Sequence, residues 1–521
     1  MRRLRALTAV GAAALLAAAG TATAAPTPPP APTPTSAPTP PPAPTAQLTD
    51  AQVDRAVSRL DATVTEMMRR TGVPGVSVAV VHDDEVVYLK GFGLRRVGDP
   101  APVGPDTVFQ VASVSKPITS TIVAGALKAP ADFDRRVELP GFALKDPWVT
   151  GHVTTADLLS HRSGLPDHAG DLLEDLGYDQ SYILDHLRLE PLSPFRASYN
   201  YTNFGFTAAA EAVARERGAS WQKLSDDVLF KPAKMTNSST EYSAYERAAD
   251  RATIHAENPD GTWSPRFVRN ADAQAPAGGV SSTARDMARW LRLQLGDGKL
   301  DGKQIVPADN LARTHLPEIV SVPVTPTGTS GFYGLGWNVS YDQAGRLRLS
   351  HSGGFLLGAN TNVTLLPLEQ LGIVVLTNGT PVGLPDAVAL DFFDVAEHGK
   401  ATTDWLPLTA SLYAGLEGRS PTDYTKPPAG AKAAQADSAY TGTYDNPYYG
   451  KATVTADPDG GLVLSLGPEP QRYPLTHYDG DVFSFETVGE NRAGRTGVTF
   501  GDGTLRVEYL DADHLGTFTR P

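Results

Sequence analysis

Two Ser-x-x-Lys motifs carry the clearest chemical signal in this 521-residue sequence: SVSK at 113–116 and SWQK at 220–223. A serine and a lysine three positions apart lie on one face of a helix, so the hydroxyl and the amine can form a hydrogen bond. Where burial lowers the lysine pKa, the amine can accept the hydroxyl proton and activate the oxygen as a nucleophile. The sequence has no cysteine and no Gly-x-Ser-x-Gly, His-Glu-x-x-His, P-loop or Gly-x-Gly-x-x-Gly motif. These serines are therefore the first candidates for covalent catalysis.

The context of Ser113 favours it as the nucleophile. Pro117 follows closely and is tolerated only near the start of a helix. Residues 118–127 (ITSTIVAGAL) are apolar on nearly every side, which is typical of a buried helix. We therefore expect Ser113 and Lys116 at the reactive end of a buried helix, facing a cleft.

Ser220 has a simpler, structural explanation. It follows Gly218 and begins a helix whose apolar side chains form a single stripe at residues 224, 228 and 229. Serine is a preferred residue at a helix N-cap, where its oxygen accepts a backbone hydrogen bond. We predict that Ser220 is an N-cap and that Lys223 lies in solvent.

The elements that must position the first motif predict an α/β fold of the α+β type. Thr49 and Gln52 form a capping box, and apolar residues then recur at helical spacing as far as Met67. Residues 73–81 and 86–93 have the pattern of a β-hairpin. Three later segments are predicted strands: 346–350, 359–366 and 371–378. Because a long, mostly helical region separates the two strand groups, we predict one antiparallel sheet built from both ends and flanked by helices. The helical region would form an inserted lobe, with a cleft beside it.

The N-terminal 48 residues differ in composition from the rest. Residues 1–24 begin with MRRLR, continue in an Ala/Leu-rich run and end in Ala-Thr-Ala, which is typical of an export signal. An uncleaved anchor is the alternative, although the run is near the short limit for crossing a bilayer. Residues 25–48 form a Pro/Thr/Ala-rich linker, in which 11 of the 19 residues from 26 to 44 are proline. We predict a secreted or extracytoplasmic protein with an extended spacer and no stable membrane insertion after signal removal.

The composition changes again after residue 400. We divide the chain into a first domain at 49–400, a connector at 401–436 and a C-terminal domain at 437–521. Short alternating strands with Gly/Asp turns in the last segment predict a small antiparallel β-barrel or sandwich, with its aromatic residues in the core. Such a domain could cover the cleft, bind a cell-wall polymer or stabilise the enzyme.

Two further motifs follow SVSK in the sequence. Tyr201-Thr202-Asn203 precedes FGF, and HSGG at 351–354 opens a predicted strand. With these three elements in order, residues 50–400 resemble the serine β-lactamase and penicillin-binding-protein superfamily. The resemblance is to its class C β-lactamase-like branch, which includes D,D-peptidases, D-aminopeptidases and carboxylesterases. The Tyr-x-Gly-x-Tyr opening of the last segment resembles an appended lipocalin-like domain. Three segments support the main resemblance: LLSHRSGLP (158–166), PAGGVSSTARDMARW (276–290) and YGLGW (333–337).

The resemblance implies roles for the residues of the first two motifs. Ser113 would attack a carbonyl and form an acyl-enzyme, while Lys116 and Tyr201 would share the proton transfers. An ammonium at Lys116 would lower the phenol pKa, and the sequence leaves open which of the two groups is the base. Asn203 would orient a substrate amide and Lys116. Without the resemblance, Tyr201 and Asn203 would be read as a loop with local hydrogen bonds.

The third motif is implied to bind substrate. The resemblance assigns His351, Ser352 and Gly353 to substrate binding, and the backbone N–H groups of Ser113 and Gly354 to an oxyanion hole. True β-lactamases have lysine where this chain has His351. A histidine of ordinary pKa is mostly neutral above pH 7, so we expect neutral esters or amides to be better substrates than penicillins. We also expect anion binding to weaken as His351 deprotonates; the alternative is that it only makes structural hydrogen bonds.

No metal, cofactor or nucleic-acid partner is expected. The formal net charge of −13 repels nucleic acid and anionic membranes. His161 is predicted to fix a loop near the cleft, whereas His477 and His514 have no ligand-like neighbours in sequence. The segment DPDG at 457–460 is better explained as a hairpin turn than as a calcium loop.

Three functions therefore stay open. The first is an exported serine hydrolase that acts on small-molecule or peptide esters or amides, some of which contain D-amino acids, through Ser113. The second is a D,D-carboxypeptidase or β-lactamase that acts on peptidoglycan peptides or β-lactams. The third is a slowly deacylating penicillin-binding protein, or a protein whose C-terminal domain contacts the cell wall.

Overall fold

The structure is a computed structural model that describes residues 47–323, 330–342, 345–414, 418, 420–458 and 460–521. The predicted export signal and nearly all of the predicted Pro-rich linker lie outside the described residues. All of the described residues belong to one compact unit. None of the described helices combines the length and the apolarity that a membrane crossing needs.

The described residues form fourteen α-helices and twenty-two strands. The helices are α1 (Asp50–Thr71), α2 (Ser115–Ala126), α3 (Pro147–Thr150), α4 (Thr155–Leu159), α5 (Asp171–Asp175), α6 (Gln180–His186), α7 (Asn203–Glu216), α8 (Trp221–Ser225), α9 (Tyr242–Arg247), α10 (Ala275–Gly278), α11 (Ala284–Leu295), α12 (Ala308–Thr314), α13 (Leu384–His398) and α14 (Trp405–Tyr413). The strands are β1 (Gly75–His82), β2 (Glu85–Gly93), β3 (Phe109–Gln110), β4 (Ala256–Glu257), β5 (Trp263–Ser264), β6 (Ser281–Ser282), β7 (Lys299–Leu300), β8 (Lys303–Gln304), β9 (Ile319–Val322), β10 (Gly331–Tyr333), β11 (Asn338–Tyr341), β12 (Leu347–Phe355), β13 (Ala359–Leu366), β14 (Leu371–Thr377), β15 (Gly442–Asn446), β16 (Gly450–Ala456), β17 (Leu462–Leu466), β18 (Gln471–Asp479), β19 (Val482–Glu486), β20 (Arg495–Gly501), β21 (Thr504–Val507) and β22 (Thr517–Thr519).

The central sheet has eight antiparallel strands in the order β2-β1-β14-β13-β12-β11-β10-β9. The predicted hairpin is β1 and β2, and the three later predicted strands are β12, β13 and β14, so these predictions are confirmed. The sequence analysis missed β9, β10 and β11, which have three or four residues each and form one edge of the sheet. Strands this short contain too few alternating residues to be recognised.

Helices cover both faces of the sheet. Val76, Val78 and Val80 of β1 belong to a core shared with α1 and α13, whereas Ala79 and Val81 belong to the core shared with the helical lobe. Successive side chains of a strand point to opposite faces, so an unbroken apolar run such as β1 is expected in a strand buried on both sides. The predicted α+β class, with a sheet flanked by helices and an inserted helical lobe, is confirmed.

Helix α1 begins where its sequence predicts. The Thr49 and Gln52 side chains form the predicted capping box, and Gly72 ends the helix in the left-handed region. Its buried side chains recur every three or four residues and pack with α13 against the sheet: Val53, Ala56, Leu60, Val64 and Met67.

The C-terminal strands β15–β22 close into an antiparallel barrel, in which β22 returns to pair with β15. Of the two predicted architectures, the barrel is therefore the one formed. Its interior contains Tyr440, Tyr444, Phe483 and Phe500, whose ring centroids lie 4.8–6.2 Å apart. These aromatic residues are core residues, as predicted.

The predicted connector begins with a helix that packs on the first domain. Within α14, Thr409 Oγ1 donates to the Gly383 carbonyl at 2.8 Å, and Tyr413 OH donates to Asp386 Oδ2 at 2.7 Å. These contacts place α14 against α13. The proposed domain boundaries at 400 and 436 stay predictions.

The barrel docks on the helical lobe through partly buried polar contacts. The Asp175 carboxylate of α5 accepts hydrogen bonds from Glu490 N at 3.0 Å and from Asn491 N at 2.7 Å. It also accepts one from Asn491 Nδ2 at 3.0 Å. Tyr178 OH donates to the Tyr449 carbonyl at 2.8 Å. The segment that joins β19 to β20 is thereby held against the first domain.

The Asp175→Ala variant is expected to loosen this segment. The substitution leaves three partly buried donors of the β19–β20 segment without their acceptor, and each fully buried unsatisfied donor costs about 1–3 kcal/mol. We expect a lower thermal midpoint and faster hydrogen exchange at residues 487–494. Asp185→Ala is the control, because it removes an exposed carboxylate whose ion pair with Arg188 contributes little. Equal exchange in the two variants would contradict the proposed docking contact.

Candidate active site

Ser113 lies in a short 3-10 turn (Ala112–Val114) that leads from β3 into α2. Ala112 has φ +48°, a left-handed conformation that is strained for a residue with a Cβ atom. The Val111 carbonyl accepts a hydrogen bond from Thr361 Oγ1 at 2.7 Å, and Ser115 Oγ accepts one from Val280 N at 3.0 Å. The turn is thus held from two sides and presents a partly exposed Ser113 at the start of a buried helix.

Lys116 is fully buried and has three oxygen neighbours. Its Nζ lies 2.7 Å from Asn203 Oδ1, 3.1 Å from the Ala277 carbonyl oxygen and 3.2 Å from Ser113 Oγ. The first two oxygens can only accept hydrogen bonds, whereas a hydroxyl can also donate one. A neutral amine would therefore give its two hydrogens to the carbonyl oxygens and direct its lone pair at the Ser113 hydroxyl.

The electrostatics favour this neutral amine. Burial lowers the pKa of Lys116 to about 7, although the nearby Asp171 carboxylate opposes the shift. Removing an ammonium from water is costly, and among the described residues no carboxylate is in direct contact with Nζ to offset the loss. A large fraction of Lys116 is therefore neutral at physiological pH.

Tyr201 is the second neighbour of the serine. Its OH donates to Ser113 Oγ at 2.8 Å, and Lys116 Nζ lies 4.4 Å from the centre of its ring. Burial raises the pKa of Tyr201 well above 10, and the hydrogen bond to Ser113 only partly opposes this. The expectation of a lowered phenol pKa is therefore wrong, because desolvation outweighs the hydrogen bond with Ser113.

Asn203, the first residue of α7, links Lys116 to Asp171, which in turn contacts His168. Its Nδ2 donates to Asp171 Oδ2 at 2.8 Å, which turns Oδ1 toward Lys116 because a carboxylate can only accept. His168 Nδ1 lies 2.8 Å from the same Asp171 oxygen. Burial lowers the pKa of His168, but the hydrogen bond and charge of Asp171 outweigh it, so the pKa is raised overall.

The HSGG motif lies in β12, beside the serine turn. A Cβ at Gly353 would lie 2.4 Å from the Val111 carbonyl oxygen and 3.0 Å from Ser113 N, so glycine is required for this close approach. Gly354 and Ser352 line the cavity above Ser113. Ser352 Oγ also donates a short hydrogen bond to the buried Asp386 carboxylate.

His351 is buried and lies behind the cavity wall, and it does not line the cavity in the part of the chain that is described. Its Nδ1 lies 2.7 Å from the Ser352 carbonyl oxygen and must donate to it, so Nε2 accepts from Tyr333 OH at 2.8 Å. Burial, aided by the charge of Lys116, lowers the pKa of His351 to about 3. The expectation that His351 changes charge near neutral pH is therefore wrong.

The two residues with structural explanations behave as predicted. His161 Nδ1 accepts from Thr202 N at 3.1 Å and so holds the loop before α7. Ser220 Oγ accepts from Lys223 N at 3.2 Å as the N-cap of α8, and the Lys223 side chain pairs with Asp227 at the surface. The second Ser-x-x-Lys motif is therefore an N-cap.

A cavity of about 460 Å³ opens above Ser113. Five predicted site residues line it: Ser113, Tyr201, Asn203, Ser352 and Gly354. Several further lining residues were not predicted from the sequence: His168, Asp171, Tyr199, Arg269, Gln274, Tyr413, Glu490 and Asn491. None of them belongs to a recognisable motif, and the last two come from the barrel.

The charged side chains at this cavity pair mostly with one another. The Arg269 guanidinium binds both oxygens of Glu174, at 3.1 and 2.8 Å, and its Nε lies 3.8 Å from Glu490. Glu490 accepts from Leu356 N at 2.5 Å, and burial raises its pKa to about 7. The one cluster of described side chains with metal-ligand spacing, Asp50, His82 and Asp83, is partly exposed and lies outside the cavity.

This fold and cavity define a serine hydrolase of the β-lactamase and penicillin-binding-protein type. Residues 60–392 match the family model described as Beta-lactamase, and the chain belongs to this family. The resemblance stated from the motifs is thereby confirmed. Residues 426–511, which include most of the barrel, match a second model, described as a domain of unknown function (DUF3471).

Several characterised proteins are similar to this chain. Unguisins hydrolase ungD' of Aspergillus campestris (strain IBT 28561) is 24% identical over 78% of this chain and 80% of its own length. Penicillin-binding protein 4 of Amycolatopsis lactamdurans is 30% identical over 64% of this chain and 86% of its own. The D-aminopeptidase of Gluconobacter oxydans (strain 621H) is 26% identical over 62% and 59%. The octameric penicillin-binding protein homologue from Pyrococcus abyssi shares the fold, with a TM-score of 0.56 and 20% identity over 89% of this chain and all of that one.

Proposed function

We propose that this protein is an exported acyl hydrolase that cleaves esters or amides lacking a carboxylate through an acyl-enzyme at Ser113. The observation that carries the proposal is the contact of one partly exposed hydroxyl with a buried lysine amine at 3.2 Å and a phenol at 2.8 Å. The signal-like composition of residues 1–24 supports export. Mass spectrometry of the culture medium tests export: it should detect a mature form that lacks these residues.

Lys116 would be the base for acylation. Its neutral amine accepts the Ser113 proton as Oγ attacks the substrate carbonyl carbon, and the backbone N–H groups of Ser113 and Gly354 bind the resulting oxyanion. A donor of this kind contributes about 3–4 kcal/mol. The proton then passes from Lys116, through or beside Tyr201 OH, to the leaving group. Water repeats the sequence on the acyl-enzyme and releases Ser113.

The charges around the cavity favour neutral over anionic substrates. His351 is neutral, and Arg269 is already paired with Glu174. Asp171 and Glu490 add carboxylates to the lining. A β-lactam or a C-terminal carboxylate would therefore meet repulsion, and the described lining residues offer no free cation to offset it. Hydrolysis of a chromogenic ester should exceed that of a chromogenic cephalosporin.

Glu490 is expected to make this preference pH-dependent. Because its pKa is raised to about 7, the side chain becomes an anion as the pH rises through neutrality and repels a cephalosporin carboxylate. We expect the ester-to-cephalosporin ratio of kcat/KM to rise about three- to tenfold between about pH 6 and about pH 8. The titration of the base affects both substrates and cancels in the ratio. Glu490→Gln should flatten the profile, whereas a cephalosporin preference that grows with pH would contradict the assignment.

A fluorescent penicillin separates the alternatives. A persistent covalent label without turnover would favour a slowly deacylating penicillin-binding protein, and rapid lactam hydrolysis would favour a β-lactamase. We expect neither a persistent label nor rapid hydrolysis, because a penicillin carries a carboxylate that the charges of the cavity would repel.

A further inference from the structure

A second cavity of about 400 Å³ adjoins the catalytic one and lies between the helical lobe and the barrel. The two cavities share four lining residues: His168, Asp171, Gly418 and Asn491. The first domain contributes the residues around α5, and the barrel contributes Tyr448, Tyr449 and the segment after β21. A substrate bound at Ser113 could therefore extend one end into this space.

The lining of the second cavity is strongly acidic. It contains five carboxylate side chains: Asp167, Asp171, Glu190, Glu508 and Asp513. Among the described lining residues there is no lysine or arginine, and the one histidine, His168, is already bonded to Asp171. Like charges gathered in a partly enclosed space repel one another, and a bound cation would relieve the repulsion.

Two buried carboxylate oxygens in this lining have no hydrogen-bond donor. Glu190 is 2% exposed; Tyr448 OH donates to its Oε1, but Oε2 has no partner among the described residues. Asp171 is 3% exposed, and its Oδ1 is likewise without a partner in the described part of the chain. Buried polar atoms are nearly always satisfied in folded proteins. Two exceptions in one cavity point to a ligand that brings N–H groups.

Tyrosines complete the lining. Tyr448 and Tyr449 pack edge to face with ring centroids 4.7 Å apart, and Tyr509 lines the same space. The faces of tyrosine rings attract cations electrostatically. Carboxylates and aromatic rings together suit an alkylammonium group better than a hydrated metal ion, because the rings supply apolar contact as well as negative potential.

We propose that this second cavity binds an ammonium group at one end of the substrate while Ser113 attacks an ester or amide carbonyl at the other. The inference rests on the proposed function and adds a substrate class to it: amine-bearing esters or amides. Burial raises the pKa of Glu190 to about 7, and a bound ammonium would favour its ionised form. The barrel would then be part of the specificity site.

Binding can be tested apart from catalysis in the full-length Ser113→Ala protein. Titration calorimetry with n-pentylammonium chloride and with 1-pentanol compares a cation with a neutral molecule of the same length. We expect the ammonium to bind about tenfold more tightly. Asp513→Asn and Glu190→Gln, each added to Ser113→Ala, should weaken ammonium binding about fivefold or more. Asp502→Asn is the matched control, since it removes an exposed barrel carboxylate outside the cavity.

Turnover gives the second readout. With active protein, the 4-nitrophenyl ester of 6-aminohexanoate should have a lower KM than that of heptanoate, and Asp513→Asn should remove the difference with little change in kcat. Equal affinity for amine and alcohol, or equal loss in Asp502→Asn, would overturn the inference. If neither ester is hydrolysed but Ser113→Ala still binds the ammonium through Asp513, the cavity assignment stands and the proposed function fails. If the heptanoate ester is hydrolysed but the protein shows no preference for ammonium, the proposed function stands and the cavity assignment fails.

Discussion

The Ser113→Ala variant is expected to lose hydrolysis of the chromogenic ester by about 10⁴- to 10⁶-fold in kcat/KM. The alanine removes the only hydroxyl that both Lys116 Nζ and Tyr201 OH contact among the described side chains. Without it, no acyl-enzyme forms and only the binding contribution of the cavity is left. Steady-state kinetics measures the loss, and intact mass spectrometry should detect an acyl adduct in the parent protein alone.

Ser220→Ala is the matched control, because Ser220 belongs to the other Ser-x-x-Lys motif. Its hydroxyl caps α8, so the variant should lose about 1 kcal/mol of stability and keep the activity of the parent. If Ser220→Ala abolishes activity, or if Ser113→Ala hydrolyses the ester as fast as the parent, the assignment of the nucleophile is wrong.

The second large effect is expected at Lys116. Arginine keeps the positive charge but stays protonated throughout the accessible pH range, so Lys116→Arg removes the lone pair that accepts the Ser113 proton. The loss should be about 10²- to 10⁴-fold. Lys223→Arg in the capping motif is the control and should be neutral, because this side chain is exposed and paired with Asp227.

The pH profile of the parent protein tests the same role without a substitution. In the proposed mechanism the active form of Lys116 is the neutral amine, and burial lowers the pKa of Lys116 to about 7. The kcat/KM for a neutral ester should therefore fall about tenfold per pH unit below neutrality and level off above it. A profile governed by the phenol would instead keep rising toward alkaline pH, because the pKa of Tyr201 is raised well above 10. That result would make Tyr201 the base.

Local pattern explains why much of the fold could be predicted and why Ser113 could be chosen over Ser220 as the candidate nucleophile. The capping box of α1, the hairpin β1–β2 and the short strands of the barrel each depend on residues close together in sequence. The same holds for Ser113 and Ser220. Ser113 is followed by a proline and an apolar run, which indicate a buried helix, whereas Ser220 is followed by a single apolar stripe, which indicates a surface helix. These features can be derived without knowledge of distant contacts.

Side-chain electrostatics could not be predicted in this way. The sequence left Lys116 and Tyr201 equal as bases and gave His351 an ordinary pKa. Burial decides all three cases, because removing a charge from water shifts the pKa of lysine and histidine downward and that of tyrosine upward. Burial depends on residues from several elements that the sequence separates widely.

The residues that line the cavity also divide into those that the sequence predicted and those that only distant contacts bring there. The family resemblance carried by the three motifs in order named Ser113, Tyr201 and Gly354 as site residues, and all three line the cavity. Glu490 reaches the cavity from the barrel, 134 positions away from its hydrogen-bond partner Leu356. The sequence by itself thus determined the local elements and singled out the hydroxyl that we propose as the nucleophile. Only the tertiary structure decided the protonation states and the charged walls, since both result from contacts between distant parts of the chain.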